Sequence, residues 1–409
     1  MSMYKIYIKQ AWALIRQERF FSSVYIVGTG LAISMVMALA VAYHIRTANI
    51  APEVHRDRMC YLSNVTYKLN GTKSNYKAAC GPRLVKEVIG NLRVPEDVAV
   101  TTNSFMMPFS YGDAFMRLPG GDESPKVRLK GCDDGFWRVY RFDFVEGGPF
   151  TEAEFLSGMP RAVLCRSLAG RLFGHEAAAG QTILLNGLEY TVSGVVDDVS
   201  GITADVYAEA WVTYSSLSVA MDHALGERDG AVGLLEANIL LADASDLPAL
   251  SEELRREVRR YNSGLSEGQV VCEEPLSYAD NLLSGLFGPE TYIVLGMALL
   301  LFLLVPALNL SGMNASRIQE RVGELGIRKA FVAGLLFSYV LVFIFRNALL
   351  VPGFNLLGTS GDVFLSPGML LNMSVFAYAF GVCVALNLLS SMLPAWRIVR
   401  GNITDALNG

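Results

Sequence analysis

The chain has 409 residues, 52% of them hydrophobic and 18% charged, with a formal net charge of −5. Residues 46–290 carry a net −11 and the rest a net +6. The basic residues therefore flank apolar runs rather than forming one face of a folded domain, which excludes DNA and RNA binding.

Residues 1–19 alternate apolar and charged positions with a roughly helical period. Tyr4, Ile8, Trp12 and Ile15 share one stripe, while Lys9, Arg16 and Arg19 lie elsewhere. That pattern fits a cytoplasmic interfacial helix lying on membrane lipids, or a topogenic flank. The apolar run Phe20 to Tyr43 predicts a first transmembrane helix over 20–45, since about 20 residues of helix cross about 30 Å of hydrocarbon. It reads as a retained anchor, because Tyr43, His44, Ile45 and Arg46 offer no small-residue cleavage site. Gly30 and Ser34 give a small-xxx-small spacing suited to helix packing, a spacing that is also common by chance.

Residues 46–290 have the makeup of a folded α+β domain inserted between the first and second crossings. Helices are predicted over 84–92 and 251–261, and strands over 98–102, 163–165, 182–185, 190–196 and 237–241. Asn186-Gly187 between two of these strands is a strong hairpin signal. Cys60, Cys80, Cys132, Cys165 and Cys272 fall in this segment and Cys383 in the last apolar run. A Cys60 to Cys80 disulfide is conceivable in an oxidising compartment, and the other cysteines read as buried thiols in no zinc-ligand spacing. Residues 278–289 return the chain to the membrane.

Second, third and fourth crossings are predicted over 291–310, 331–350 and 370–393. Pro306 interrupts the second, as a candidate hinge or a static kink. Asn309 and Asn387 are polar groups expected to bond within the bundle. Arg317, Arg321, Arg328 and Lys329 in segment 311–330, with Arg397 and Arg400 in the tail 394–409, place both termini and that segment in the cytoplasm. Segments 46–290 and 351–369 are then outside. The fold class is a bundle of four transmembrane helices plus an extracytoplasmic α+β domain.

Catalytic and cofactor motifs are not found. The chain has no Gly-x4-Gly-Lys-Ser/Thr, His175-Glu176 lacks a following histidine, and the four histidines are scattered. Asp133-Asp134, Asp197-Asp198 and Glu273-Glu274 are adjacent acids of the kind that mark solvated turns. No catalytic, cofactor-binding or metal residue is assigned.

Two motifs resemble the permease subunits of ATP-binding-cassette systems in the MacB and FtsX group. Gly323-Glu324-Leu325-Gly326-Ile327-Arg328-Lys329-Ala330 looks like the family's cytoplasmic segment, and Pro394-Ala395-Trp396-Arg397 with Asp405-Ala406-Leu407 like its C-terminal signature. Phe142 to Phe150, Ala162 to Gly174 and Gly180 to Asp198 match the order of a MacB-like periplasmic core. One departure stands out: Phe331-Val332-Ala333-Gly334 opens the third apolar run at once, where the family continues through a further cytoplasmic stretch. Either the loop is short or a stretch before the third crossing is missing.

The resemblance implies a multi-pass inner-membrane subunit without catalysis of its own. A cytoplasmic ATPase dimer would engage Arg317, Arg321, Glu324, Gly326, Arg328 and Lys329, and a second permease copy, identical or not, would complete the complex. Charges alone fit a solvated loop as well; the resemblance favours docking. Export or extraction of lipoproteins, peptides or lipid-like substrates is implied, with a periplasmic adaptor and outer-membrane channel as further partners. The alternative is FtsX-like signalling to a cell-wall hydrolase or a sensor.

Overall fold

A computed structural model of the chain describes residues 43–72, 75–103, 113–174, 176–217 and 230–287, with 293, 297 and 381 besides. The chain divides into two compact units, and nearly all described residues lie in the one containing Thr47–Gly285. The four apolar runs fall almost wholly outside the described residues. Among the described residues, no helix is long and apolar enough to cross a membrane.

The unit opens with strands β1 (Met59–Leu62), β2 (Val65–Leu69) and β3 (Asn75–Cys80), helix α1 (Pro82–Glu87) and strand β4 (Asp97–Thr102). Eight strands follow before the chain returns: β5 (Ala114–Arg117), β6 (Lys126–Val127), β7 (Leu129–Cys132), β8 (Phe144–Gly147), β9 (Arg161–Cys165), β10 (Thr182–Leu185), β11 (Leu188–Val196) and β12 (Ala210–Thr213). Helices α2 (Phe136–Val139), α3 (Glu152–Leu156) and α4 (Arg166–Phe173) lie among them. The return comprises β13 (Val232–Gly233), β14 (Leu235–Leu240), α5 (Leu247–Asn262), β15 (Gly268–Cys272), β16 (Leu276–Ser277) and α6 (Tyr278–Phe287).

Strand pairing separates a framing lobe, β1–β4 with β13–β16, from an inserted lobe, β5–β12. In the framing lobe β14 is central: it pairs antiparallel with β1 on one side and β4 on the other, and touches β3 at Leu235. In the inserted lobe β9 lies between β11, parallel to it, and β12, antiparallel. The two lobes share a single register pair, Thr101 of β4 with Cys132 of β7. Beside it a side chain replaces the ladder: the Gly131 N–H donates to Thr102 Oγ1 at 2.9 Å. A Cβ on Gly131 would stand 2.7 Å from Thr102 Cγ2, so only glycine allows this approach. Asp133 then caps α2 by accepting the Phe136 N–H at 2.9 Å, and Arg138 on α2 grips Asp97 of β4 at 2.7 Å.

Local sequence accounts for much of this. Asn186 and Gly187 have φ of 48° and 87°, the left-handed pair that a two-residue hairpin needs, and β10 and β11 form the expected hairpin. Asn186 also fixes the neighbouring strand, since its Oδ1 accepts the Phe115 N–H at 2.8 Å and its N–H donates to Phe115 at 2.9 Å. Helix α5 buries Leu250, Leu254, Val258 and Tyr261, spaced three and four apart, and packs on β15. At its end the Asn262 amide closes the sheet edge, donating to the Val270 carbonyl and accepting the Val270 N–H, both at 2.8 Å. The inserted lobe packs around aromatic rings, with Trp137 within 5.1 to 6.4 Å of Phe142, Phe144, Phe150, Trp211 and Phe136.

Two expectations are corrected. The helix expected over 84–92 begins earlier and stops at Glu87, giving way to a 3-10 turn at Ile89–Asn91. Pro82 presets the first turn, while Val88, Ile89 and Gly90 are poor helix formers. The Cys60 to Cys80 disulfide is not formed: all five cysteines of the domain are free thiols. Cys60 Sγ donates to the Ile239 carbonyl and Cys80 Sγ to that of Leu62, so each sits in its own apolar site.

Candidate functional site

The chain enters and leaves the framing lobe side by side. β1 pairs antiparallel with β16, placing Cys60 opposite Ser277 and Tyr61 opposite Leu276. Between these ends lies a buried polar junction. Glu53 and Arg56, 2% and 1% exposed, form an ion pair at 2.6 Å from the Arg56 Nε to the Glu53 Oε2. Arg56 spreads its other donors over two distant carbonyls, Ala48 at 2.9 Å and Ile202 at 3.3 Å. Its guanidinium lies 5.0 Å from the centre of the Tyr278 ring, and the Tyr278 hydroxyl donates to Glu53 at 3.4 Å. The junction thus holds the entry segment, the first residue of α6 and the 198–208 loop of the inserted lobe.

That loop is gripped from two sides. The Asp205 N–H donates to Glu53 Oε1 at 3.1 Å, and the Tyr61 hydroxyl donates to Asp205 Oδ2 at 2.6 Å. Arg141, just after α2, donates its N–H to the Pro52 carbonyl at 2.9 Å. Burial pushes the Glu53 carboxyl upward against the pull of the Arg56 guanidinium, with Asp205 adding to the rise. Burial also lifts the Tyr61 and Tyr140 phenols well above their usual range, which keeps both neutral and leaves Tyr61 a donor. A buried pair held by this many hydrogen bonds gives fixed geometry more than net stability. Chemically the junction is a clamp: its carboxylates and guanidinium spend their bonding on the protein itself.

Arg317, Arg321, Glu324, Gly326, Arg328 and Lys329, the hinge candidate Pro306 and the packing pair Gly30 and Ser34 all lie outside the described residues. The adjacent acids are placed, and each has a structural partner. Asp133 caps α2, Asp134 pairs with Arg138, Asp197 with Arg166 at 2.6 Å, Glu273 with Lys77 at 2.5 Å and Glu274 with Arg255. Asp198 accepts the Ser167 N–H at 3.0 Å. Among the described residues no group of acids, histidines and cysteines could hold a metal ion.

The junction is the feature that sequence reasoning missed. Glu53 and Arg56 are three residues apart, the spacing of an ordinary surface pair on a helix. Tyr61, Asp205 and Tyr278 join them from remote segments with no motif around them. The usable signal was position, since two charged residues and a tyrosine directly follow one predicted crossing and a tyrosine precedes the next.

The model of the MacB-like periplasmic core domain matches residues 22–257. A pyoverdine export ATP-binding/permease protein, PvdT, of Pseudomonas savastanoi pv. phaseolicola is 25% identical over 98% of this chain and 59% of its own length. The ABC transporter permease YknZ of Bacillus subtilis is 20% identical over 52% of this chain and 50% of its own. The chain thus spans less than two thirds of these relatives. Among solved structures, the extracellular domain of YknZ from Gram-positive bacteria aligns at a TM-score of 0.36 and 16% identity, over 52% of this chain and 99% of that one. The periplasmic region of MacB from Actinobacillus actinomycetemcomitans aligns at 0.34 and 16%, over 53% and 88%.

Proposed function

Because the chain belongs to the family of the MacB-like periplasmic core domain, we propose that it is the permease part of an ATP-driven export complex. A cytoplasmic ATPase dimer would bind Arg317, Arg321, Glu324, Gly326, Arg328 and Lys329 and move the crossings on either side of the domain. The chain itself would be non-catalytic, multi-pass in the inner membrane, and paired with a second permease copy. Its substrates would be of the lipoprotein, peptide or lipid-like kind. The pyoverdine export for which the PvdT relatives are named favours export over an FtsX-like signalling role.

The observation that carries this reading is the junction. The entry strand and exit strand are hydrogen-bonded neighbours, and Glu53 and Arg56 tie both ends to the loop around Asp205. A displacement at either chain end would therefore reach the inserted lobe through buried, charge-assisted contacts rather than through a flexible linker. The test is copurification of the chain with its ATPase from membranes. Glu324→Lys is expected to abolish it, and deletion of residues 316–329 with ATPase binding unchanged would overturn the proposal.

A further inference from the structure

Helix α5 and strand β15 enclose a groove of about 330 Å³ at the open edge of the framing lobe. Its floor is apolar, formed by the buried Leu254 and Val258 of α5. A contact shuts it at each end. At one, the Asn262 amide takes both the N–H and the carbonyl of Val270 at 2.8 Å. At the other, Arg255 bonds Glu274 across the two walls. Between these ends the edge of β15 is open at Cys272. Residues of an antiparallel strand turn their backbone groups alternately toward one neighbour and the other. Cys272, two residues on from Val270, therefore points its N–H and carbonyl away from β2 and into the groove. Among the described residues neither group has a hydrogen bond. Charge on the rim is uneven. Arg255 is taken up by Glu252 and Glu274, and Glu273 by Lys77 at 2.5 Å. Arg259, which is exposed, has no ion pair among the described residues. It precedes Asn262 by three positions, so the two side chains are neighbours on one face of α5.

An open position on a strand edge beside an apolar floor suits an extended peptide, which pairs through its backbone and lays alternate side chains into the groove. Asn262 limits how far such a peptide can run, because it already occupies the next pairing position, at Val270. A chain that continues has to displace the amide. A chain that ends there leaves its terminal carboxylate beside Arg259, where a charge-assisted hydrogen bond can form. We propose that the groove binds the extended C-terminal end of a partner polypeptide, with its last residues paired to Cys272 and its carboxylate on Arg259. The site uses neither the ATPase nor the crossings, so it can fail while the export reading stands, and the reverse.

Titration with a synthetic peptide decides it. The probe is a short peptide of alternating valine and threonine with an N-terminal fluorophore and a free C-terminal carboxylate, read by fluorescence anisotropy against the full chain in lipid nanodiscs. Saturable binding is expected, with slower hydrogen exchange at residues 271–274 in the bound state. Amidation of the peptide's C-terminus and Arg259→Glu should each weaken binding at least about ten-fold, the loss of one charge-assisted hydrogen bond. Arg256→Glu makes the same charge change at the next exposed position behind it and should leave binding within about two-fold. No binding, equal binding of acid and amide, or binding indifferent to Arg259→Glu overturns the proposal. Protection of residues 271–274 without peptide that fades on dilution would assign the groove to a second copy of this chain and overturn it as well.

Discussion

The hydroxyl of Tyr61 donates to the carboxylate of Asp205 at 2.6 Å, across 144 residues of chain. Tyr61 lies in the strand by which the chain enters the domain, and Asp205 in a loop of the inserted lobe. Tyr61→Phe removes the donor and keeps the ring, leaving Asp205 with an unmet acceptor, and should cost about 1–3 kcal/mol of stability. Hydrogen exchange of the full chain would show it as faster exchange confined to residues 199–208. Unchanged exchange there would mean that the contact does not hold the loop.

The Glu53 and Arg56 pair separates stability from coupling. Arg56→Met strands a buried carboxylate and should lower stability by about 3–5 kcal/mol, whereas Glu53→Leu together with Arg56→Met should recover most of that loss. Both variants remove the Arg56 bonds to Ala48 and Ile202, so both should lose the transport proposed above. Melting temperature set beside transport in the same preparations checks this. A double variant that melts and transports like the natural protein would show that the clamp is dispensable.

Stability should fall as pH rises through neutrality. Burial lifts Asp133 from 3.8 to about 8 and Glu236 from 4.5 to about 7. The folded chain then keeps protons that the unfolded chain has already released. Their contribution is complete below the unfolded values and is lost as pH climbs through the folded ones. Melting curves of the full chain between about pH 5 and pH 9 should slope downward, and Glu236→Gln should flatten the lower part of that slope. A melting temperature that climbs steadily over this interval would contradict the assignment.

Gly131→Ala should loosen the seam. The new methyl would meet Thr102 Cγ2 at 2.7 Å and Tyr214 Cβ at 3.0 Å, forcing β7 from β4 at a cost of about 1–3 kcal/mol. Exchange should quicken over residues 129–133 and 98–102, with the β10–β11 hairpin unaffected. Gly120→Ala is the matched control, since its Cβ has open space and any effect would come from its φ of 77° alone.

Asn262→Leu should expose the edge of β15. Without the amide, the Val270 N–H and C=O face outward unpaired, which is the template for strand addition by another chain. Light scattering of the purified chain on warming would report aggregation at a lower temperature than for the natural protein. A variant that scatters no earlier would show that α5 alone covers the edge.

What the sequence disclosed was local. The Asn186-Gly187 hairpin, the amphipathic α5 and the β-branched strands follow from chemistry within a few residues, and their limits agree to within four positions. What stayed hidden depends on remote partners. That β7 runs parallel to β12, or that β14 lies between β1 and β4, leaves no trace in the periodicity of any one segment. Lys126, Arg128 and Lys130 alternate with apolar residues, yet Lys130 is buried where the other two are exposed. The capping box of α3, Thr151 with Glu154, is legible from spacing alone.

The position of β14 bears on how the domain comes into being. Strands β1, β3 and β4 are synthesised first, yet the strand that joins them begins at Leu235, after the whole inserted lobe. The inserted lobe can close on its own strands while the framing lobe still waits with open edges. Assembly of the framing lobe is therefore a late, long-range event, slow by its topology and exposed to wrong pairing until β14 arrives. A chain interrupted before residue 235 would carry a finished inner lobe inside an unfinished frame, a natural substrate for chaperones and proteases.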